Sequence, residues 1–265
     1  MHTPVPFGQY VPIDSPVHSL ESRAKMALLF AYTVLLFAAQ GFAGLAVAGV
    51  LVSIAVAASR VPLGLVLRGI RAVSFILAFT VLAHAIRFNP ATVALFRIGP
   101  FALDADGLVT GLFFATRIVL LVIGTSLLTL TTSPVALTDG LERLLSPLEF
   151  VRVPVGELAM MLTVALRFIP TTAEEAEKII VAQAARGARF DSGGVLTRAR
   201  AYIPVLVPLF VNLFRRADDL AVAMESRCYR GGLGRTRLNE SVLVATDWFV
   251  IVAGCGVMIA AAVIF

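Results

Sequence analysis

Long apolar stretches separated by short polar connections run through most of the chain. A helix that crosses a membrane needs about 20 mostly apolar residues, and five stretches reach or approach that length. They comprise residues 26–40, 42–59, 73–86, 109–130 and 243–265. The third is short unless the four residues before it extend it. The pattern therefore predicts an all-α polytopic membrane protein with about five transmembrane helices.

The segment between the fourth and fifth predicted spans is too apolar to be a linker. Its pattern predicts three helical pieces, at residues 135–148, 155–186 and 195–229. The second and third pieces each begin with an apolar half and end with an amphipathic, charged half, which is typical of helices that lie near a membrane surface. Prolines that predict kinks mark the apolar halves. These are Pro170, Pro204 and Pro208.

The distribution of Lys and Arg predicts the orientation, because cytoplasmic loops carry an excess of them. Fourteen of the 22 Lys and Arg residues lie within residues 132–240. That region and the N-terminus are therefore predicted to be cytoplasmic, with Phe265 outside. The predicted organisation is a cytoplasmic N-terminal segment, four transmembrane helices, a region of long cytoplasmic amphipathic helices and a last transmembrane helix. The bounds are 1–25, 26–131, 132–240 and 241–265.

Composition excludes several classes of function. The chain is 58% hydrophobic and 15% charged, which is too apolar for a soluble domain of this size. The net charge of +5 fits cytosolic loops, so no nucleic-acid partner is expected. Two cysteines and three scattered histidines make no metal site. Neither phosphate-loop motif, GxxxxGK[ST] or GxGxxG, is present, and no catalytic constellation appears, so we expect a non-catalytic protein without a cofactor of its own.

Two stretches of the amphipathic region share one pattern. Residues 176–187 align without gaps on residues 217–228 as A-[ED]-x-[IL]-x-V-A-x-x-[AS]-R, and the copies end at Arg186 and Arg227. A cation suits any helix C-terminus through the macrodipole, which is the plain structural reading. The duplication favours a different one, in which each guanidinium fork enters an acidic groove on a partner. Two matched ends would then dock two similar partners, or two lobes of one.

Two further charged features are candidates for a function: an arginine within a span and a cluster of acidic residues. Arg117 lies within the fourth span, where a charge is costly and marks a functional hypothesis by default. We favour a structural role for Arg117 inside the bundle, paired with Asp247 or with a polar stripe on its own helix. The acidic cluster Glu174, Glu175 and Glu177 lacks a nucleophile or histidine beside it. We read it as a solvated helix face with i,i+4 partners such as Lys178.

Several motifs along nearly the whole chain resemble the transmembrane T component of energy-coupling-factor (ECF) transporters, the EcfT/CbiQ family. The family's opening commonly reads G-x-Y-x-P…S-x-x-H-x-L-D-P-R-x-K, and residues 8–25 follow it with Glu21-Ser22 in place of Asp-Pro. Its middle is matched at 132–134, 141–148 and 165–170. Ala185-Arg186-Gly187 matches the first Ala-Arg-Gly coupling motif. Ser226-Arg227-Cys228 keeps only the arginine of the second.

The resemblance implies a non-catalytic scaffold in an ATP-driven importer. Its expected partners are two ABC-type ATPase subunits, EcfA-like or CbiO-like, which bind ATP and Mg, and a membrane S component that captures a vitamin or a metal ion such as cobalt or nickel. The residues expected to dock the ATPases are Ala185, Arg186, Gly187, Ser226 and Arg227. Those expected to support the coupling helices are Arg167, Pro170, Glu174, Glu177 and Asp218.

The expected location is the cell membrane of a prokaryote, with the lipid bilayer around the spans. The alternative is a stand-alone secondary transporter or channel of a small solute. It would need buried acids or a polar pore stripe, and no acidic residue lies deep inside a predicted span. The sequence does not identify the substrate, because in this family the S component selects it.

Overall fold

The structure is a computed structural model that describes residues 10–88, 94–98, 101–192, 194–229, 231 and 243–264. The chain divides into two compact units. The first, called here the bundle unit, comprises Met1–Arg143 and Ser241–Phe265. The second, called the coupling unit, comprises Leu144–Glu240.

Helices make up most of the described bundle unit. They are α1 (Pro16–Ser19), α2 (Ser22–Ala38), α3 (Phe42–Ser59), α4 (Leu63–Ala85), α5 (Ala105–Thr131), α6 (Pro134–Leu145) and α10 (Ala245–Ile264). The predicted helical membrane fold is confirmed. The second predicted span coincides with α3, because Gly41 and the left-handed Arg60 flank the helix. By contrast, α4 begins ten residues before the predicted third span, since its exposed Arg68 and Arg71 are carried on the same helix.

Five described helices are long and apolar enough to cross a membrane by length and composition. They are α3, α4, α5, α10 and Val155–Ala185 of the coupling unit. The first predicted span corresponds to α2, which has 17 residues and is therefore slightly shorter than an average span. The cytoplasmic placement of residues 132–240 stays a prediction.

A small antiparallel sheet lies between α4 and α5, where the sequence predicted only a loop. Its strands are β1 (Ile86–Phe88), β2 (Ala94–Ile98) and β3 (Phe101–Asp104), in the order β1-β3-β2. Ile86 pairs with Leu103 and Ile98 pairs with Phe101. The segment was too short and too irregular in polarity to give a strand signal by alternation alone.

The core of the bundle unit lies between α2, α3, α5 and α10. Tyr32, Leu35, Leu45 and Leu120 are among its buried members. Tyr32 also donates a hydrogen bond through its hydroxyl to the carbonyl oxygen of Leu120, at 3.2 Å. That bond satisfies a polar group which would be costly to bury without a partner.

The described residues of the coupling unit form a 3₁₀ helix and three α-helices. They are the 3₁₀ helix Ser146–Val151, α7 (Val155–Ala185), α8 (Val195–Ala201) and α9 (Ile203–Ser226). The predicted piece at 195–229 is divided at Tyr202, because Pro204 in the first turn of α9 starts a new helix. Pro170 and Pro208 lie inside α7 and α9, both of which continue through them.

The α4–α5 pair packs closely at small residues, and this generates a stability prediction. A Cβ added at Gly107 would collide with backbone atoms of His84 and Ala85. Gly107→Ala should therefore destabilise the protein by about 1–3 kcal/mol through overpacking. Thermal unfolding in detergent measures the effect. Gly256→Ala on α10 is the control, since nothing lies within 4 Å of its added Cβ. Equal melting temperatures for the two variants would contradict this packing.

Candidate docking site at two matched helix ends

The C-terminal end of α7 is closed by a Schellman motif around Arg186. The Ala188 N–H donates to the Gln183 carbonyl at 3.0 Å, and the Gly187 N–H donates to the Ala184 carbonyl at 2.9 Å. Gly187 has φ of +88°, the left-handed conformation that glycine adopts without cost. Arg186 is the capping residue immediately before this turn.

The C-terminal end of α9 has the same geometry around Arg227. The Tyr229 N–H donates to the Met224 carbonyl at 3.0 Å, and the Cys228 N–H donates to the Glu225 carbonyl at 2.9 Å. Cys228 takes φ of +58° at the position equivalent to Gly187. The second end therefore keeps the backbone turn although its sequence lacks the glycine.

Both arginines face outward. Arg186, Arg227 and their neighbours Ala185 and Ser226 are exposed. Within the part of the chain that the structure describes, neither guanidinium forms a hydrogen bond or an ion pair. Each end thus presents an exposed cation on a rigid, closed turn, and this is the geometry that an acidic groove could accept.

The two ends lie far apart because α7 and α9 pack antiparallel. Arg216 of α9 contacts Thr171 of α7 at 3.3 Å, and further along the pair Gln183 donates to the Pro204 carbonyl at 3.4 Å. Arg186 therefore lies near the N-terminus of α9, whereas Arg227 lies at its C-terminus. The 24 residues of α9 span about 36 Å, so Arg186 and Arg227 are separated by roughly this distance.

Glu175 joins the two helices. Its Oε1 accepts a hydrogen bond from Asn212 Nδ2 at 2.6 Å, and its Oε2 accepts one from Arg216 Nη2 at 3.1 Å. The Arg216 guanidinium also lies 5.9 Å from the centre of the Phe168 ring. The interpretation of Glu175 as part of a solvated face was wrong, because its partners lie across the helix pair and not along α7.

The residues predicted to support the coupling helices lie mostly on the surface. Arg167, Glu174, Glu177 and Asp218 are exposed, and Pro170 is partly buried within α7. The supporting role of these five residues stays a prediction, and Glu175, which was not among them, bonds across the helix pair. The sequence signal for this contact was the position of Glu175, three or four residues from the apolar positions of α7 that face α9.

Arg117 is held at the C-terminal end of α2. Its Nη2 donates to the Ala39 carbonyl at 2.6 Å, and its guanidinium carbon lies 4.7 Å from the ring centre of Phe113 and 5.4 Å from that of Phe114. A cation is favourable at a helix C-terminus and over an aromatic face. These contacts support the structural role of Arg117, which stays a prediction. Arg117 lies level with the α2–α3 connection and not beside the middle of α2.

The suggested pairing of Arg117 with Asp247 was wrong. Asp247 is 5% exposed and lies in the first turn of α10. Its Oδ2 accepts the N–H of Val244, the residue before α10, at 3.0 Å, and its Oδ1 accepts the N–H of Glu21, the residue before α2, at 3.3 Å. One carboxylate therefore caps two helix N-termini, where negative charge is favourable.

Lys25 provides the opposite charge at the same place. It is 8% exposed, and its Nζ donates to the carbonyl of Thr131, the last residue of α5, at 3.0 Å. It also donates to the carbonyl of His18 in α1 at 3.1 Å. Burial lowers the pKa of Lys25 to about 8, and the negative charge of Asp247 partly offsets this effect. We call Lys25 and Asp247 the end junction, since together they bind two helix C-termini and two helix N-termini.

The sequence did not reveal the end junction. Glu21 and Asp247 are 226 positions apart, so no local pattern links them. The local signals were weaker: Lys25 closes the N-terminal motif, and Asp247 stands three residues after Val244, as in half of a capping box. Among the described residues, no group of three His, Cys, Asp or Glu could hold a metal ion.

Known proteins of similar sequence agree on one family. The model of the CbiQ family, described as cobalt transport protein, matches residues 14–238. The chain is 48% identical over 255 residues to the energy-coupling factor transporter transmembrane protein EcfT of Heliobacterium modesticaldum, which covers 96% of this chain and 95% of the relative. It is 44% identical over 246 residues to the EcfT of Bacillus subtilis, with 93% and 92% covered.

The helical fold and these similarities define the class as a multi-pass membrane protein of a transport system. Within that class, the chain belongs to the EcfT/CbiQ family of energy-coupling factor transporter transmembrane proteins. The resemblance seen in the sequence motifs is confirmed.

The left-handed Cys228 generates the prediction for this site. A side chain in this conformation costs roughly 1–2 kcal/mol relative to glycine, so Cys228→Gly should stabilise the last turn of α9 by about 1 kcal/mol. Amide hydrogen exchange at residues 224–229 measures the change. The reciprocal control, Gly187→Cys, should speed exchange at the end of α7. Faster exchange at the end of α9 in Cys228→Gly would contradict the assignment of matched turns.

Proposed function

We propose that this chain is the membrane coupling subunit of an ATP-driven importer in the cell membrane of a prokaryote. Two ABC-type ATPase subunits dock on the ends of α7 and α9, and a membrane S component supplies the captured vitamin or metal ion. ATP and Mg are bound by the ATPases, and this chain transmits their motion without catalysing a reaction itself. Membership of the EcfT/CbiQ family supports this assignment.

The observation that carries the proposal is the matched pair of helix ends. Each has an exposed arginine on the same Schellman turn, and the antiparallel packing separates the two by roughly the length of α9. Two identical or similar ATPase subunits would present two similar acidic grooves, and binding both at once requires two similar helix ends at a fixed separation. A helix cap alone would not require the duplication, since any cation would serve the macrodipole.

A stand-alone secondary transporter has less support from the site. Of the described carboxylates that are buried, Asp104 and Asp247 each accept backbone N–H bonds at a helix start, and Glu21 lies before α2. These carboxylates therefore serve helix ends and an ion pair, and they do not form a chain through the bundle.

The docking proposal predicts a graded loss of ATPase binding. A charge-assisted hydrogen bond contributes about 1.5–3 kcal/mol, so Arg186→Ala or Arg227→Ala alone should weaken recovery of the complex and ATP-driven uptake. The double variant should nearly abolish both, and Arg186→Glu should be worse than Arg186→Ala because it would face like charge.

Arg215→Ala is the matched control, since Arg215 is an exposed arginine within α9 and away from its end. Complex recovery is measured by affinity purification with the ATPase subunits, followed by ATP hydrolysis and uptake in liposomes. Near-normal recovery and uptake by the double variant would contradict the docking proposal and would show that both arginines serve only as helix caps.

The proposed orientation places the N-terminus and the coupling unit in the cytosol, following the Lys and Arg excess of residues 132–240. In a variant without native cysteines, Gly41→Cys in the α2–α3 connection should react with an impermeant maleimide from outside only. Glu149→Cys in the exposed 3₁₀ helix should react only after the membrane is opened. Reaction of both positions from the same side would contradict the proposed topology.

A further inference from the structure

We infer that the end junction of Lys25 and Asp247 is the point through which the coupling unit moves the bundle unit, so that both are positioning residues for transport. This inference rests on the proposed function. Its basis is the place of the junction in the chain, together with the burial of its two charges.

Both covalent connections between the units, at residues 143–144 and 240–241, lead to a helix end that this junction holds. Thr131, whose carbonyl accepts from Lys25, ends α5, and the chain then continues through α6 into the coupling unit. Asp247 lies in the first turn of α10, which is the first helix after the chain returns to the bundle unit. A displacement carried along α6 therefore reaches the end of α5, which Lys25 holds, and one carried along the second connection reaches the start of α10, which Asp247 holds.

The first connection is also held beside the start of α2. A Cβ added at Gly140 of α6 would lie 2.6 Å from Ser22 Oγ and 2.7 Å from Met26 Cε, so α6 packs directly against the first turn of α2. Lys25 lies in that same turn region. The exit from the bundle, the first turn of α2 and the re-entry at α10 therefore share one anchoring point.

The N-terminal segment is bound into the same network. His18, whose carbonyl accepts from Lys25, has its Nε2 3.0 Å from the Val11 carbonyl oxygen, and the Val11 N–H donates to the Leu130 carbonyl at 3.0 Å. The segment thus lies across the end of α5 and leaves the junction little freedom to adjust. A rigid junction transmits a displacement, whereas a loosened one absorbs it within the connection.

Both side chains are buried and they carry opposite charges, and this determines the choice of variants. Removing one leaves the other buried without its counterpart, which destabilises the fold for reasons unrelated to transport. Lys25→Met with Asp247→Asn removes both charges and keeps similar volumes. Lys25→Arg keeps the charge and should restore function. Arg68→Met is the control, since Arg68 is an exposed cation of the same unit.

The test measures the coupling ratio, defined as substrate accumulated per ATP hydrolysed, in liposomes containing the full complex. The tracers are tritiated riboflavin, tritiated biotin and ⁵⁷Co²⁺, and the tracer that the wild-type complex accumulates is used throughout. The double variant should assemble and hydrolyse ATP while its coupling ratio falls by about tenfold, within the range usual for coupling between sites. Lys25→Arg and Arg68→Met should keep the wild-type ratio within about twofold.

An unchanged coupling ratio in the double variant would overturn the inference. If the double variant does not assemble, Asp247→Glu is decisive, because it keeps the charge but displaces the carboxylate: a wild-type ratio there also overturns the inference, and a lowered ratio with normal ATP hydrolysis supports it. A wild-type chain that recovers no ATPase subunits would instead refute the proposed function, so the two failures are distinguishable.

Discussion

The end junction is the interaction on which the arrangement of the bundle unit depends. Helix ends leave backbone N–H and C=O groups without intrahelical partners, and a bilayer offers no water to satisfy them. Here the buried ammonium of Lys25 donates to carbonyl groups at two helix C-termini, and the buried carboxylate of Asp247 accepts from N–H groups at two helix N-termini. Four helices and the N-terminal segment are therefore brought together at one end by two buried side chains of opposite charge.

The coupling unit solves the same problem differently. Its two long helices end in Schellman turns that satisfy their last carbonyls with backbone N–H groups alone. The arginines at these ends are consequently free to project, and Glu175 with Asn212 and Arg216 holds the helix pair together between them. The backbone closes each end, and the side chain is left for a partner.

Features that depend on local patterns were predictable from the sequence, and those that depend on distant pairing were not. The span 42–59 and the two arginine ends follow from apolar runs, glycines and a repeated motif. The sheet between α4 and α5 was missed because its strands are short. Glu175 was misread because the acidic cluster suggested partners along the same helix, such as Lys178, while the partners of Glu175 lie 37 and 41 positions away. Asp247 was paired with Arg117, which was wrong, because the sequence does not reveal which helix ends lie beside each other in the bundle.

The central claim is that one copy of this chain engages two ATPase subunits through two equivalent ends. Native mass spectrometry of the complex, released intact from detergent, tests this most directly by its mass. The account predicts one copy of this 28.2 kDa chain with two ATPase subunits, whether or not a further membrane component is retained. A complex that contains only one ATPase subunit for each copy of this chain, under conditions where the assembly hydrolyses ATP, would contradict it.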